Sequence, residues 1–233
     1  MGILSGLDQF GLGDLEGADL YADPTKGADA VEEEKAKEPA EADFLFDKTY
    51  TCPVCDKEFK TRTVKVGKAK LLGTDSDLRP KYDKIDSLKY DIILCPHCGY
   101  TALSRYFKVI TPPQAKLVKE NISKGFHRLP EKDVYDYDDA LERYKLALAN
   151  AIVKRGKASE KAYICLKMAW LSRAKGEALD LADASYDTEL AKCKADEMEL
   201  LKSSLEGFLA ARQSESFPMC GMDETTVDYL IAV

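Results

Sequence analysis

The sequence predicts an α+β protein: a small β-rich domain, then an all-α domain of antiparallel helical hairpins, behind a disordered acidic N-terminal tail. Residues 47–110 contain short runs of alternating polar and apolar side chains, which is the pattern of β-strands. Residues 111–233 repeat apolar side chains at three- and four-residue steps, which is the pattern of amphipathic helices. Residues 1–46 precede both predicted domains and differ from them in composition.

The predicted tail is strongly acidic. It holds twelve Asp and Glu residues against three Lys residues, which more than accounts for the net charge of −7 of the whole chain. Its part 22–41 is rich in Ala, Glu, Lys and Pro and has little to bury, so a disordered linker is predicted there. Its first part interleaves Leu and Phe with Gly and Asp, and is either a short segment that orders on a partner or an idle tail.

No apolar run approaches the ~18 residues that a membrane-spanning helix needs, and the N-terminus lacks the basic and apolar regions of a signal peptide. We therefore expect a cytoplasmic protein without membrane contact. The chain has seven cysteines, an odd number, which argues against a disulfide framework in such a protein. Metal binding is the favoured use of any cysteines that are paired in sequence.

Four of the cysteines form two C-P-x-C units, in "YTCPVCDKEF" and "ILCPHCGYTAL". Each unit directs two thiolates at one point, and four soft sulfur atoms in tetrahedral geometry suit Zn²⁺. We predict one structural zinc ion per chain, in a zinc-ribbon-like domain, held by Cys52, Cys55, Cys95 and Cys98. The alternatives are two unrelated cysteine pairs, or a thioredoxin-like redox pair that lacks its βαβ context here.

The other candidate site residues have weaker patterns. His97 lies inside the second unit and could replace a cysteine, but an exposed ring is expected, and His127 is expected at the surface. Cys165 and Cys193 occupy apolar helix positions and are predicted to be small core residues. Cys220 lies in the loop "FPMCGMDE", where burial is favoured over a nucleophilic role because no base can be assigned to it.

The segment between the two units, residues 57–90, holds ten Lys or Arg residues and five Asp or Glu residues. Such a basic surface could bind the phosphates of a nucleic acid, although a solvated face of a small sheet is the more ordinary interpretation. Within this segment "DSDLRPKYD" brings Asp75, Asp77 and Arg79 close together. This cluster is either a polar site or a turn whose Asp side chains bond their own backbone.

Caps and glycines divide the helical part into five predicted helices, over about 111–125, 137–156, 159–176, 190–211 and 223–233. Short joints between helices of this length indicate antiparallel hairpins. The last helix, capped by Asp223 or Thr225, has an apolar face of Val227, Leu230 and Ile231 that must dock or stay exposed. We expect an apolar patch near the C-terminus, including a flank of the fourth helix, that serves as a partner surface.

Taken together, these motifs resemble a bacterial family catalogued as domain of unknown function 2225. The resemblance covers about residues 48–233 and rests on the cysteine units combined with "DSDLRP", "KYDIILCPHCGY" and "FPMCGMDE". It implies a zinc-ribbon-like head followed by tetratricopeptide-like helices, and it implies no particular activity. In the family, helices commonly continue past the "CGMDE" loop, whereas this sequence ends at Val233.

Three functions are compatible with these patterns. The first is a non-enzymatic adaptor whose helical hairpins bind a protein or peptide while the zinc site fixes their first helix. The second is a nucleic-acid-binding protein that uses residues 57–90. The third is an enzyme that uses the cluster of Asp75, Asp77 and Arg79, or Cys220. The sequence favours the adaptor, and it assigns neither the partner nor an oligomeric state.

Overall fold

A computed structural model of the chain describes residues 40–233, which form one compact α+β unit. Residues 1–39, which hold most of the predicted disordered tail, lie outside the described part. The strands are β1 (Leu45–Thr51), β2 (Glu58–Val64), β3 (Lys70–Thr74), β4 (Pro80–Asp83), β5 (Ile92–Leu94) and β6 (Thr101–Leu103). The helices are α1 (Pro112–Val118), α2 (Tyr137–Val153), α3 (Ala158–Glu177), α4 (Tyr186–Ser214) and α5 (Glu224–Ala232). None of these described helices is long and apolar enough to cross a membrane.

The six strands form three separate antiparallel hairpins, β1 with β2, β3 with β4, and β5 with β6. In the first hairpin the register runs from Leu45 opposite Val64 to Thr51 opposite Glu58. The cysteine units form the turns of the first and third hairpins, and the β3–β4 hairpin is inserted between them. Strand β2 stops at Val64, and Val66, which the alternating pattern places on the same strand face, is fully exposed.

The run "KYDIIL" is only partly a strand. Residues Ser87–Tyr90 form a 3₁₀ helix, because the Asp86 side chain accepts a hydrogen bond from Leu88 N at 2.9 Å and so caps a helical turn. Strand β5 therefore begins at Ile92, two residues after this turn. The turn matters for the fold because it places Leu88 in the core beneath the helices.

The predicted first helix begins at its capping box. The Gln114 side-chain oxygen accepts hydrogen bonds from Thr111 N at 3.0 Å and from the Thr111 hydroxyl at 3.1 Å. After α1 the chain makes a short π-helical turn, Lys119–Ser123, and leaves the helix before Gly125, as the sequence predicts. Helix α5 is capped by Asp223, whose carboxylate accepts from Thr226 N at 2.8 Å.

The predicted third helix agrees with α3 to one residue at each end, but the sequence also predicts Ser159 as its cap and Gly176 as its last residue, and neither has that role. Ser159 lies inside α3 and is not its cap, because its backbone N–H and hydroxyl donate to the Glu215 carboxylate at 3.1 Å and 2.5 Å. Gly176 does not end α3, but lies in its last turn, where an added Cβ would come within 3.3 Å of a Leu190 methyl group. Gly176 therefore faces the Leu190 and Cys193 side chains of α4.

The main hydrophobic core joins the strands to the helices. Leu88, Ile92 and Leu103 pack in the same cluster as Tyr144 of α2 and Phe208 of α4. The Tyr144 hydroxyl also donates a hydrogen bond to Leu88 O at 3.0 Å. One core thus crosses residue 110, where the sequence predicts a domain boundary, and that boundary stays a prediction.

Helix α2 faces the strands with small side chains. Its buried positions include Ala140, Ala147 and Ala151, whereas Ile152, which the sequence places on the apolar stripe, is 59 % exposed. Alanines bring the α2 backbone close to the turn of the third hairpin, where the Asn150 side chain donates to a backbone carbonyl of that turn at 3.1 Å. The second cysteine unit is therefore held directly against α2.

Candidate metal centre

The two cysteine units have the same backbone geometry. In the first unit Asp56 N donates to Cys52 O at 2.9 Å, and in the second Gly99 N donates to Cys95 O at 3.0 Å. Asp56 and Gly99 occupy equivalent positions with φ of 59° and 71°, in the left-handed region. Asp tolerates this region better than most residues, so Asp56 can occupy the position that Gly99 has in the second unit. Each unit is thus a tight turn that points two sulfurs to the same side.

The sulfurs of the four cysteines come together. The Sγ atoms of Cys52, Cys55, Cys95 and Cys98 all lie within 4.8 Å of one another. Between the units, Cys52 Sγ lies 3.6 Å from Cys98 Sγ, and Cys55 Sγ lies 3.7 Å from Cys95 Sγ. Metal–sulfur bonds of ~2.3 Å at tetrahedral angles place sulfurs about 3.8 Å apart. All four cysteines are free of disulfide bonds, and together they could hold a metal ion.

The electrostatics of the four thiols fit a cation. Hydrogen bonds from Cys52 and Cys98 lower the pKa of the Cys95 thiol, while contacts with Cys52 and Cys95 raise the pKa of Cys98. Four thiolates this close would repel one another, so all four can be ionised only if a positive charge lies between them. Val54 N adds a hydrogen bond to Cys52 Sγ at 3.4 Å, which stabilises charge on that sulfur. The donor set therefore suits a divalent metal ion.

An aromatic cluster packs beside the sulfurs and excludes water. The Phe107 ring centroid lies 5.8 Å from those of Tyr50 and Phe59 and 5.1 Å from that of Tyr100. Cys52 and Cys95 are completely buried in the same hydrophobic cluster. Three of the four cysteines are buried and Cys55 is half-buried, so a metal held here would lie largely inside the fold.

The two histidines lie apart from this set. His97 is exposed, and its Nε2 lies 3.2 Å from Glu58 O rather than against the sulfurs. His127 is exposed as well. Both side chains are therefore at the surface, as the sequence predicts.

The three remaining cysteines are buried, which agrees with their predicted place in the core. Burial raises the pKa of Cys165, Cys193 and Cys220. The Cys220 thiol donates a hydrogen bond to the Ser159 carbonyl at 3.2 Å. A buried thiol that stays protonated and donates a hydrogen bond is a poor nucleophile, because only the thiolate attacks.

The cluster of Asp75, Asp77 and Arg79 connects the β3–β4 hairpin to α3. Asp77 accepts hydrogen bonds from both terminal nitrogens of Arg173 on α3, at 2.6 Å and 3.1 Å. It also accepts from the indole nitrogen of Trp170 at 3.0 Å. Paired groups of this kind attach the β3–β4 hairpin to α3.

Arg79 strengthens the same attachment. Its Nε donates to Asp75 at 2.7 Å, and its Nη2 donates to both oxygens of Glu177 on α3, at 2.7 Å and 2.8 Å. Arg173 reaches onward to Glu197 of α4 at 2.7 Å. The carboxylates that the sequence offers as a polar site are therefore already engaged by arginines.

Sequence reasoning did not identify Trp170 and Arg173 as the partners of this cluster. The available signal was the position of Arg173 on the apolar stripe of α3, where a charged residue needs a partner of opposite charge. Sequence reasoning also did not identify Arg143 of α2 as a buried charged residue. The signal for its burial was its position four residues before Ala147, on the same buried face of the helix. Partners more than ninety residues away in sequence are not visible to local patterns.

The basic segment 57–90 is partly neutralised. Four of its ten basic side chains form ion pairs with carboxylates of the described residues: Arg62, Arg79, Lys81 and Lys89. A surface whose cations are already paired attracts phosphates less strongly than the sequence count indicates.

One family model matches this chain. The family is described as "Uncharacterized protein conserved in bacteria (DUF2225)", and the match covers residues 45–233. It begins at the first residue of β1 and includes both cysteine units. No curated protein and no solved structure matches the chain.

Proposed function

The chain belongs to the family of uncharacterized bacterial proteins DUF2225, and for this member we propose a non-enzymatic adaptor that is held together by structural zinc. The ion would fix the first and third hairpins, and the helices would bind a partner protein. The four convergent sulfurs support the zinc. An uncovered apolar stripe on α4 is the observation that carries the adaptor.

Zinc is the favoured ion because the ligands are four thiolates in tetrahedral reach, which is the donor set of structural zinc sites. Four protein ligands leave no coordination position for a substrate or a reactive water. Two hairpins that face each other across one Cys₄ set support the proposed zinc-ribbon-like head. The packing of α3 against both α2 and α4 supports the proposed tetratricopeptide-like helices.

The proposed partner surface is the α4 stripe, which consists of Met198, Leu205 and Leu209. Their side chains are 56 %, 40 % and 43 % exposed. They follow one flank of a 29-residue helix that is roughly 44 Å long at 1.5 Å per residue. Only four residues of α4 are buried, so most of its surface is uncovered. A row of apolar side chains at this spacing matches an amphipathic helix of a partner protein.

The zinc proposal is tested by metal analysis of two variants. We expect one zinc ion per wild-type chain, and Cys95→Ser should lose it and lower the free energy of unfolding by ~4 kcal/mol or more, because the metal supplies folding energy. Cys165→Ser is the matched control, since it removes a buried cysteine outside the set and should keep the zinc. A wild-type chain that carries no zinc, or a Cys95→Ser variant that keeps it, would refute the proposal.

The adaptor proposal is tested with a photo-crosslinking residue at position 205. We expect it to capture one protein reproducibly through a helical segment, with or without nuclease and at moderate salt. The double variant Met198→Glu and Leu209→Glu should reduce capture about tenfold or more, because charges replace apolar contacts on both sides of the crosslinking position. Val66→Glu is the control, since it changes an exposed apolar residue outside α4. Capture that nuclease abolishes would favour nucleic-acid binding instead.

A further inference from the structure

A cleft of about 570 Å³ lies beside the second cysteine unit. Its walls are strand β2, the turn at Pro96 and His97, the segment 128–135, and the side of α2 that carries Arg143. The α4 stripe does not contribute to it. Clefts of about 300–1,000 Å³ are the size that holds small organic ligands.

Arg143 is the most unusual residue of this cleft. Its side chain is 8 % exposed, and its Nε has no hydrogen-bond partner in the part of the chain that the structure describes. The guanidinium carbon lies 4.4 Å from the centroid of the Tyr135 ring. This contact covers one face of the guanidinium, so its N–H groups can form hydrogen bonds only in the guanidinium plane.

The Tyr135 ring is itself held in place. It stacks on Tyr90 with centroids 5.2 Å apart, and its backbone N donates to the Tyr90 hydroxyl at 3.2 Å. The Tyr90 hydroxyl in turn donates to Glu41 at 2.8 Å. Arg143 is therefore presented by a rigid support, which lowers the entropy that a ligand must remove on binding.

A second buried polar group without a partner lines the same cleft. The Thr61 hydroxyl is covered and has no hydrogen-bond partner among the described residues, and the residue is 7 % exposed. Buried polar groups in proteins are nearly always hydrogen-bonded. Six buried side-chain polar atoms of the described residues lack a hydrogen-bond partner, and two of the six belong to residues that line this one cleft. A ligand that accepts hydrogen bonds would satisfy both of them.

Of the other strong cations of the cleft, three have carboxylate partners, and the exposed Lys60 has none among the described residues. Arg62 pairs with Asp47 at 3.2 Å, Arg128 pairs with Glu131, and Lys132 pairs with Asp139 at 2.6 Å. Arg143 forms no such pair with a described residue. A buried cation without a counter-ion destabilises a fold, and a bound anion would remove that penalty.

We propose that this cleft binds a small organic oxyanion, a phosphate or carboxylate compound, whose oxygens accept hydrogen bonds from the Arg143 guanidinium and the Thr61 hydroxyl. The planar guanidinium fork matches two oxygens of either group. Leu94, Pro96 and Leu129 line the same cleft and would contact the apolar part of the ligand. This site is independent of the adaptor surface.

The test uses the full chain with phenyl phosphate and benzoate as separate probes, at constant ionic strength, followed by calorimetric titration. We expect saturable binding of at least one probe, and the probe that binds identifies the phosphate or the carboxylate class. Arg143→Met should weaken binding by roughly tenfold or more, since a charge-assisted pair is lost. Lys145→Met is the matched control, because it removes the same charge from the exposed face of α2 and should bind as the wild type does.

Two further measurements keep the proposal open to refutation if Arg143→Met folds poorly. Thr61→Val keeps the charge and should weaken binding about threefold to tenfold, as expected for one lost hydrogen bond. The Nε–Hε resonance of wild-type Arg143 should shift on titration with the probe that binds. Failure of both probes to saturate the wild-type chain, or an unmoved Arg143 resonance, overturns the proposal.

The ligand-free stability of Arg143→Met gives an independent check. If Arg143 serves to bind a ligand, its buried charge has no counter-ion in the ligand-free protein. The ligand-free wild type is then no more stable than a variant with an apolar residue at this position. We therefore expect Arg143→Met to melt at the same temperature as the wild type or higher in the absence of a probe. A well-folded variant that melts much lower would assign Arg143 to the core instead.

Discussion

Asp77 illustrates how single residues join distant parts of this chain. It lies in the loop between β3 and β4, and its carboxylate is held by Arg173 and Trp170 from the middle of α3. Burial raises the pKa of Asp77, but the hydrogen bonds and charge of Arg173 outweigh it, so the pKa lies below its usual value of 3.8. The ionised carboxylate is therefore the form that stabilises the folded chain.

This pKa shift predicts a dependence of stability on pH. A group with a lowered folded-state pKa contributes stability that is present above its unfolded pKa and is lost as the pH falls through the folded value. Asp77→Asn should lower the free energy of unfolding at pH 7 by roughly 1–3 kcal/mol. The difference from the wild type should begin to shrink below about pH 4, where this carboxyl becomes protonated in the unfolded chain, and should vanish only below the lower pKa of the folded state. Urea unfolding at pH 7 and pH 3.5 measures both values.

If a metal is bound, the comparison between variant and wild type removes any effect of its loss in acid, because both chains would lose it alike. Glu206→Gln is the control, since Glu206 is exposed on α4 and its effect should be small at both pH values. The single tryptophan, Trp170, gives a second readout, because undocking of the β3–β4 hairpin should shift its emission to longer wavelength. A difference that stays constant from pH 7 to pH 3.5 would contradict the assignment.

At the scale of elements, the packing of α3 against α4 depends on glycine. Gly207 of α4 lies against Ala162 of α3, and an added Cβ would lie 2.8 Å from the Ala162 Cβ and 3.2 Å from its Cα. In the interior of a helix glycine is about 1 kcal/mol less favourable than alanine. The close crossing of the two helices must offset that cost, because only a residue without a Cβ permits it.

Gly207→Ala should therefore destabilise the chain in spite of its better helix propensity. We expect the free energy of unfolding to fall by about 1–3 kcal/mol, the usual range for overpacking against a backbone that cannot move. Gly176→Ala is the matched control in the same helix pair, because its new Cβ would meet only side chains, at 3.3 Å and 3.4 Å. That variant should be neutral or slightly stabilising, and an equal loss in both would show that the crossing does not require Gly207.

At the scale of the whole molecule, hydrogen bonds and a shared core connect the cysteine centre to the helices. Asn150 holds the turn that carries Cys98, Tyr144 holds the backbone at Leu88, and Arg173 holds the β3–β4 hairpin. Loss of the metal should for this reason reach the helices through the shared core. The proposed zinc would thus set the position of α2 and, with it, of Arg143.

Features that depend on neighbouring residues can be predicted from the sequence alone. The four cysteines, the left-handed positions at Asp56 and Gly99, and the cap of α1 all follow from spacings of a few positions. Helix periodicity also predicted five helices in the second part of the described chain, because an amphipathic stripe is a local pattern. Errors at helix ends arose where a tertiary contact replaced the local one, as at Ser159 with Glu215.

Only the tertiary structure decided which charged residues are partners and which are not. Asp77 and Arg173 are 96 positions apart, and their pairing follows from how the β3–β4 hairpin lies on α3. Arg143 has the same chemistry as Arg173, yet it faces a cleft without a carboxylate partner among the described residues. The physical reason is that the free energy of a charge depends on its surroundings, and these are set by the packing of elements distant in sequence.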